Sequence, residues 1–137
     1  KSFNENNELW INCEFDLSSF EIKKNKNKFS KTLQSILISA NKINPMFLKN
    51  NCGGSVSTHL NFSKKWGLGT SSTLINNISK WANIDPFELL WTNYKGSGYD
   101  IACALAKGPV LYQLKNNIPI VNPVKFNPKY INNLFFI

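Results

Sequence analysis

Between Ser55 and Trp81 the apolar residues change spacing, from every second position to every third or fourth, with a glycine-rich stretch at the change. Val56, Thr58, Leu60 and Phe62 alternate with Ser57, His59 and Asn61, which predicts a half-buried strand over residues 55–62. Leu74, Ile75, Ile78 and Trp81 then recur as one face of a helix. A chain that switches period across one loop must combine strand and helix, so the expected fold class is α+β.

The rest of the chain extends that pattern. Trp10, Asn12 and Glu14 alternate with Ile11, Cys13 and Phe15, which predicts one or two strands between Glu8 and Ile22. Lys23 to Lys28 is a basic polar turn, either a solvated loop or a phosphate-binding patch. Leu33, Ile36, Leu37 and Ala40 predict a helix from Ser30, its expected N-cap, to Lys42, with Pro45 ending it. Cys52-Gly53-Gly54 is a turn signal. Asp85, Pro86 and Glu88 predict a capping box that opens a helix reaching Asn93. Ile101 to Ala106 reads as a short buried helix. Val110–Leu114 and Ile118–Val124 read as a strand pair turning at Asn116-Asn117.

Composition narrows the function classes. With 137 residues, 42% apolar and 13% aromatic, the chain has the size and core of one domain. No apolar run approaches the roughly 20 residues of a membrane span, and no leading segment reads as a signal peptide. Cys13, Cys52 and Cys103 are odd in number and far apart, which argues against a disulfide framework or a paired-cysteine zinc site and fits a reducing cytoplasm. His59 is the only histidine; it is either a solvated strand residue or a catalytic one. The net charge of +8 comes entirely from lysine. Without arginine the chain lacks the planar fork that reads phosphates and bases bidentately, so a nucleic-acid partner is not expected. The richness in Asn, Lys, Ile and Phe matches A/T-rich codons, which by itself explains much of the charge.

Two segments carry candidate chemistry. In Gly67-Leu68-Gly69-Thr70-Ser71-Ser72 the glycines allow a tight turn, and the hydroxyl residues fall at a helix N-terminus, where free N–H groups suit a phosphate. Lys64 and Lys65 stand just before it. It is neither a Walker A loop nor the dinucleotide fingerprint, and a plain helix cap reads equally well. The second segment is Gly96-Ser97-Gly98-Tyr99-Asp100. Past Glu21 the only acidic residues are Asp85, Glu88 and Asp100, and the first two have a capping role. Asp100 precedes a small apolar run, where a carboxylate is costly unless it is paired or working; its alternative is to cap the next helix.

Together these segments resemble the GHMP kinases, the group of galactokinase, homoserine kinase and mevalonate kinase. Gly67–Ser72 is similar to their GLGSSA phosphate motif. Gly96–Ala104, with Val110-Leu111-Tyr112-Gln113 after it, resembles the segment carrying the catalytic aspartate in mevalonate-type members. Phosphomevalonate kinases, with Gly-Ser-Gly-Phe-Asp-Val and a lysine like Lys65, are nearer, and the GYDIA run itself resembles a bacterial group named for it. The likeness covers roughly Ser55 to Leu114.

The resemblance implies a two-layer, ribosomal-protein-like N-terminal ATP-binding domain. It implies that Lys65, Gly67, Leu68, Gly69, Thr70, Ser71 and Ser72 bind the ATP phosphates. Ser71 would hold Mg²⁺, with Glu88 a second ligand if it is not committed to the cap. Ser97 and Gly98 would present Asp100, which would take the proton of the attacking hydroxyl. The implied reaction moves the γ-phosphoryl of ATP to a small acceptor, mevalonate or phosphomevalonate.

Several features depart from the family. Ser72 replaces an alanine, Lys65 a glycine of mevalonate kinases, and the glycine loop lies closer to Asp100 than in mevalonate kinase. The family's N-terminal catalytic-lysine motif and C-terminal glycine motif have no counterpart here, so residues 1–137 are expected to be one incomplete domain of a longer protein. A degenerate kinase remnant and a basic nucleic-acid-binding module are the competing expectations.

Overall fold

The computed structural model describes residues 1–49 and 53–135. In chain order it contains β1 (Ser2–Phe3), β2 (Leu9–Ile11), β3 (Glu14–Phe15), β4 (Ile22–Lys24), α1 (Lys28–Ile43) and β5 (Thr58–His59). These are followed by α2 (Thr70–Ala82), α3 (Pro86–Asn93), α4 (Tyr99–Leu105), β6 (Val110–Lys115) and β7 (Ile118–Pro123). The domain is a small α+β fold with a helical centre and peripheral strands.

Local chemistry sets the helix ends. The Oδ1 of Asn27 accepts from the Ser30 N–H at 3.0 Å, and the Ser30 Oγ accepts from the Asn27 N–H at 2.8 Å. The cap of α1 therefore lies three residues before the expected Ser30, which instead closes a reciprocal capping box and is fully buried. At the other end, Asn44 donates its N–H to Ala40 at 2.9 Å and its Nδ2 to the Ala82 carbonyl at 2.7 Å, tying together the C-termini of α1 and α2. Asp85 opens α3 by accepting from the N–H groups of Phe87 (2.7 Å) and Glu88 (3.0 Å), with Pro86 beginning the first turn. Cys52, part of the expected turn, lies outside the described residues.

The core forms where the helical stripes meet. Ile36, Leu37 and Ala40 of α1, Ile75, Ile78 and Ala82 of α2, Leu89 and Leu90 of α3 and Ile101 of α4 are buried in one cluster with Phe20 and Phe47. Each fully buried isoleucine or leucine among them contributes about 1.5–3 kcal/mol. Leu74 is half-buried, and Trp81 stays largely exposed, meeting Phe47 edge-on at 4.9 Å.

The strands are short. β1 pairs antiparallel with β2 and parallel with β5; β3 pairs with β4, where Lys24 and Glu14 form an ion pair at 3.3 Å. The strand expected over residues 55–62 shrinks to Thr58–His59. Its partner β1 has only two residues, so the ladder closes with Thr58 N–H to Lys1 O and Leu60 N–H to Phe3 O, each 3.0 Å. Both strand residues are exposed, so the alternation marks no buried face. The expected hairpin forms, with β6 and β7 paired in register from Val110–Pro123 to Lys115–Ile118. Asn116 (φ 51°) and Asn117 (φ 60°) both take the left-handed conformation that a two-residue hairpin turn needs. No helix among the described residues is long and apolar enough to cross a membrane.

Candidate functional site

The first glycine turn is open. Residues 64–66 form one 3-10 turn, begun by Ser63, whose Oγ accepts from the Lys65 N–H at 3.4 Å. Gly67 (φ 68°) and Gly69 (φ 74°) then swing the chain into α2 through the left-handed region. A side chain at Gly67 would meet open space, whereas one at Gly69 would lie 2.7 Å from the Ser72 Oγ. The Ser72 hydroxyl is buried and donates to the Gly69 carbonyl at 2.8 Å; the Thr73 hydroxyl donates to the same oxygen at 3.1 Å. Ser72 can therefore offer a ligand its N–H, while its hydroxyl closes the turn.

Among the described residues the N–H groups of Thr70, Ser71 and Ser72 have no acceptor, as expected for the first turn of a helix. Lys65, Leu68 and Ser71 are exposed, and Thr70 is half-buried. Lys64 lies over the Trp10 ring at 5.0 Å, which leaves Lys65 as the nearer lysine not held by an aromatic face. N–H groups without an acceptor, the positive end of a helix and a lysine nearby in sequence suit a phosphate chemically.

The second glycine turn is exposed at Gly96 and Ser97 and enclosed at Gly98. Gly98 (φ 80°) caps α4 and is buried; a side chain there would lie 3.0 Å from Phe87 and 3.5 Å from Leu90. Asp100 is half-buried in the first turn of α4, so the glycine, and not Asp100, is the cap. The Trp91 Nε1 donates to the Gly96 carbonyl at 3.0 Å, and the Tyr112 hydroxyl donates to the Ser97 carbonyl. Burial pushes the Tyr112 phenol above its ordinary range, and the nearby charge of Asp100 pushes it the same way. The sequence marked Tyr112 only as part of the run after the glycine turn, with no role, and did not mark Trp91.

Helices α2 and α4 pack together, and the Asn76 Nδ2 donates to the Ile101 carbonyl at 3.3 Å. The two motif-bearing helices are thus neighbours. Among the described residues, no hydrogen bond or ion pair joins Asp100 to Lys65, Ser71 or Glu88. The predicted capping box at α3 is half formed: Asp85 supplies its bonds, and Glu88 returns none among the described residues. Glu88 instead lines an open cleft of about 470 Å³ with Phe87, Trp91 and Pro119. No three His, Cys, Asp or Glu side chains among the described residues gather to hold a metal. A nucleotide-borne Mg²⁺ asks for less, because it keeps its waters and takes one or two protein ligands beside the phosphates. Ser71 and Glu88 fit that reduced demand in chemical type.

His59 is exposed, stacks on Phe3 at 4.6 Å and places its Nδ1 3.4 Å from the Asn7 Oδ1. Cys13 and Cys103 are free; burial raises the Cys13 thiol. Comparison with known proteins adds no relative: no family model matches this chain, and neither a curated protein nor a solved structure matches it.

Proposed function

We propose that this chain is the nucleotide-binding part of a GHMP-type kinase, with the two-layer fold of that group. It would use ATP and Mg²⁺ to phosphorylate a small acceptor, mevalonate or phosphomevalonate. The observation that carries this reading is the start of α2. Two left-handed glycines, Gly67 and Gly69, lead into three N–H groups without an acceptor, those of Thr70, Ser71 and Ser72, on a helix packed against the one that carries Asp100. The N–H groups of Thr70, Ser71 and Ser72 would take phosphate oxygens, and the turn at Leu68 would let them approach. The Ser71 hydroxyl would reach the metal; Glu88, expected as a second ligand, lines a cleft that none of residues 65–72 enters. When bound, the metal would spread the charge that develops on the transferred group. Asp100, presented by Ser97 and Gly98, would hold the acceptor hydroxyl and take its proton. The free thiols fit a cytoplasmic setting.

The test is ADP release by the longest in-frame polypeptide containing this segment, with Mg-ATP and either acceptor. Release that depends on one acceptor, and falls by orders of magnitude in Asp100→Asn while Mg-ATP still binds, supports the reading. Release that is unchanged in Asp100→Asn assigns the chemistry to another group. Absence of both ADP release and Mg-ATP binding removes the kinase reading.

A further inference from the structure

The turn before Asp100 is held in an unusual way. Its consecutive carbonyls, those of Gly96 and Ser97, are captured by two side chains from different elements and by no strand or helix ladder. Trp91 reaches Gly96 from α3 with its indole N–H. Tyr112 reaches Ser97 from β6 with its hydroxyl. The third side is a wall: Gly98 packs so closely on Phe87 that a methyl group there would lie 3.0 Å from the ring. Phe87 and Trp91 also pack on each other, with ring centroids 5.6 Å apart. A glycine-rich turn is intrinsically loose, because glycine has the most conformational freedom to lose. Two donors and a ring wall remove that freedom two residues before Asp100. The phenol of Tyr112 also feels the charge of Asp100, which places the clamp and the carboxylate in one electrostatic neighbourhood.

We propose that Trp91 and Tyr112 are positioning residues that clamp the Gly96–Gly98 turn and so orient the carboxylate of Asp100. Their part in turnover rests on the kinase reading above; the clamp itself does not. Neither residue touches a reactant. Both act by keeping the carboxylate in reach of the acceptor hydroxyl, where a misplacement of about 1 Å can cost up to a hundredfold in rate. Trp91 stands one helical turn after Glu88, so α3 couples the position of the turn to that of the second expected metal ligand.

The experiment uses Tyr112→Phe, which keeps the ring and deletes the donor, and Trp91→Phe, which keeps an aromatic group while deleting the indole N–H, each alone and combined with Asp100→Asn. Turnover with Mg-ATP and backbone ¹⁵N relaxation at Gly96, Ser97, Gly98 and Asp100 are both measured. The expected result is a kcat lowered about tenfold or more in each single variant, with KM for ATP within about twofold. In the Asp100→Asn background the same changes should cost nothing further, because residues acting as one unit are not additive. Relaxation should report a loosened turn while helix content holds and stability falls by no more than the loss of one hydrogen bond costs in Tyr112→Phe. Additive losses would overturn the action through Asp100, since they would mean a general effect on the fold. Unchanged relaxation at the turn would overturn the clamp. If the wild-type protein shows neither turnover nor Mg-ATP binding, the kinase reading fails, and the relaxation data alone decide the clamp.

Discussion

The two glycine turns look alike in sequence and differ in kind. Both end in a left-handed glycine, Gly69 or Gly98, that opens a helix without any side-chain cap. The turn at Gly67–Gly69 lies at the surface with Trp66, Leu68 and Ser71 exposed around it. Its internal order comes from its own helix, through the hydroxyls of Ser72 and Thr73 on the Gly69 carbonyl. The turn at Gly96–Gly98 is held from outside, by Trp91, Tyr112 and Phe87. An open turn with free N–H groups can receive a ligand. A clamped turn can aim a side chain. The same local conformation therefore serves two purposes, and the neighbours decide which.

Gly98→Ala should be the most damaging probe of that contrast. The left-handed conformation costs a non-glycine residue about 1–2 kcal/mol, and overpacking against a fixed ring adds about 1–3 kcal/mol. A loss of about 2–5 kcal/mol in urea unfolding is expected. Gly67→Ala, with the same backbone demand and open space around it, should lose only about 1–2 kcal/mol. Equal losses at the two positions would erase the distinction between an enclosed turn and an open one.

A smaller effect separates the paired serines. Ser72→Ala removes a buried hydrogen bond and should cost about 1 kcal/mol of stability. Ser71→Ala, at an exposed hydroxyl, should stay within about 0.5 kcal/mol in stability while weakening Mg-ATP use. If Ser71→Ala lowers the melting temperature as much as Ser72→Ala does, Ser71 is part of the helix cap and not a ligand.

The smallest expected effect concerns a third turn, built without glycine. Asp16 accepts four hydrogen bonds, from the N–H and Oγ of Ser18 and of Ser19, at 2.6–3.1 Å. These bonds, the Ser18 hydroxyl foremost, hold its carboxyl well below the usual carboxylate range. A carboxyl depressed in the folded state stabilises the fold at neutral pH. That contribution fades once the pH falls below the unfolded value and on toward the folded one. Acid unfolding followed by far-UV circular dichroism should therefore be less steep in Asp16→Asn. An unchanged acid profile would show that the turn is held by its backbone alone.

Much of the local structure was legible in the residues. The four helices lie where apolar spacing and caps predict them, within a turn at each end. The Asn116-Asn117 hairpin follows from the tolerance of asparagine for positive φ. The cap of α1 was missed by three residues, although Asn27 and Ser30 hold the reciprocal spacing that signals it. For the candidate site, the glycine turns and the placement of Asp100 near a helix start were visible, and the surroundings of Asp100 were not.

Hydrophobic period, capping chemistry and the φ demands of glycine, asparagine and proline act within a few residues, so the sequence by itself determined which segments turn, coil or extend. Tertiary structure decided the rest. It reduced the most regular alternation in the chain, residues 55–62, to a two-residue strand because β1 offers no longer partner. It turned Glu88 toward a cleft and placed Trp91 and Tyr112 on adjacent carbonyls of one turn. Those outcomes depend on which buried faces meet, and the free energy of that meeting is shared among residues distant in the chain.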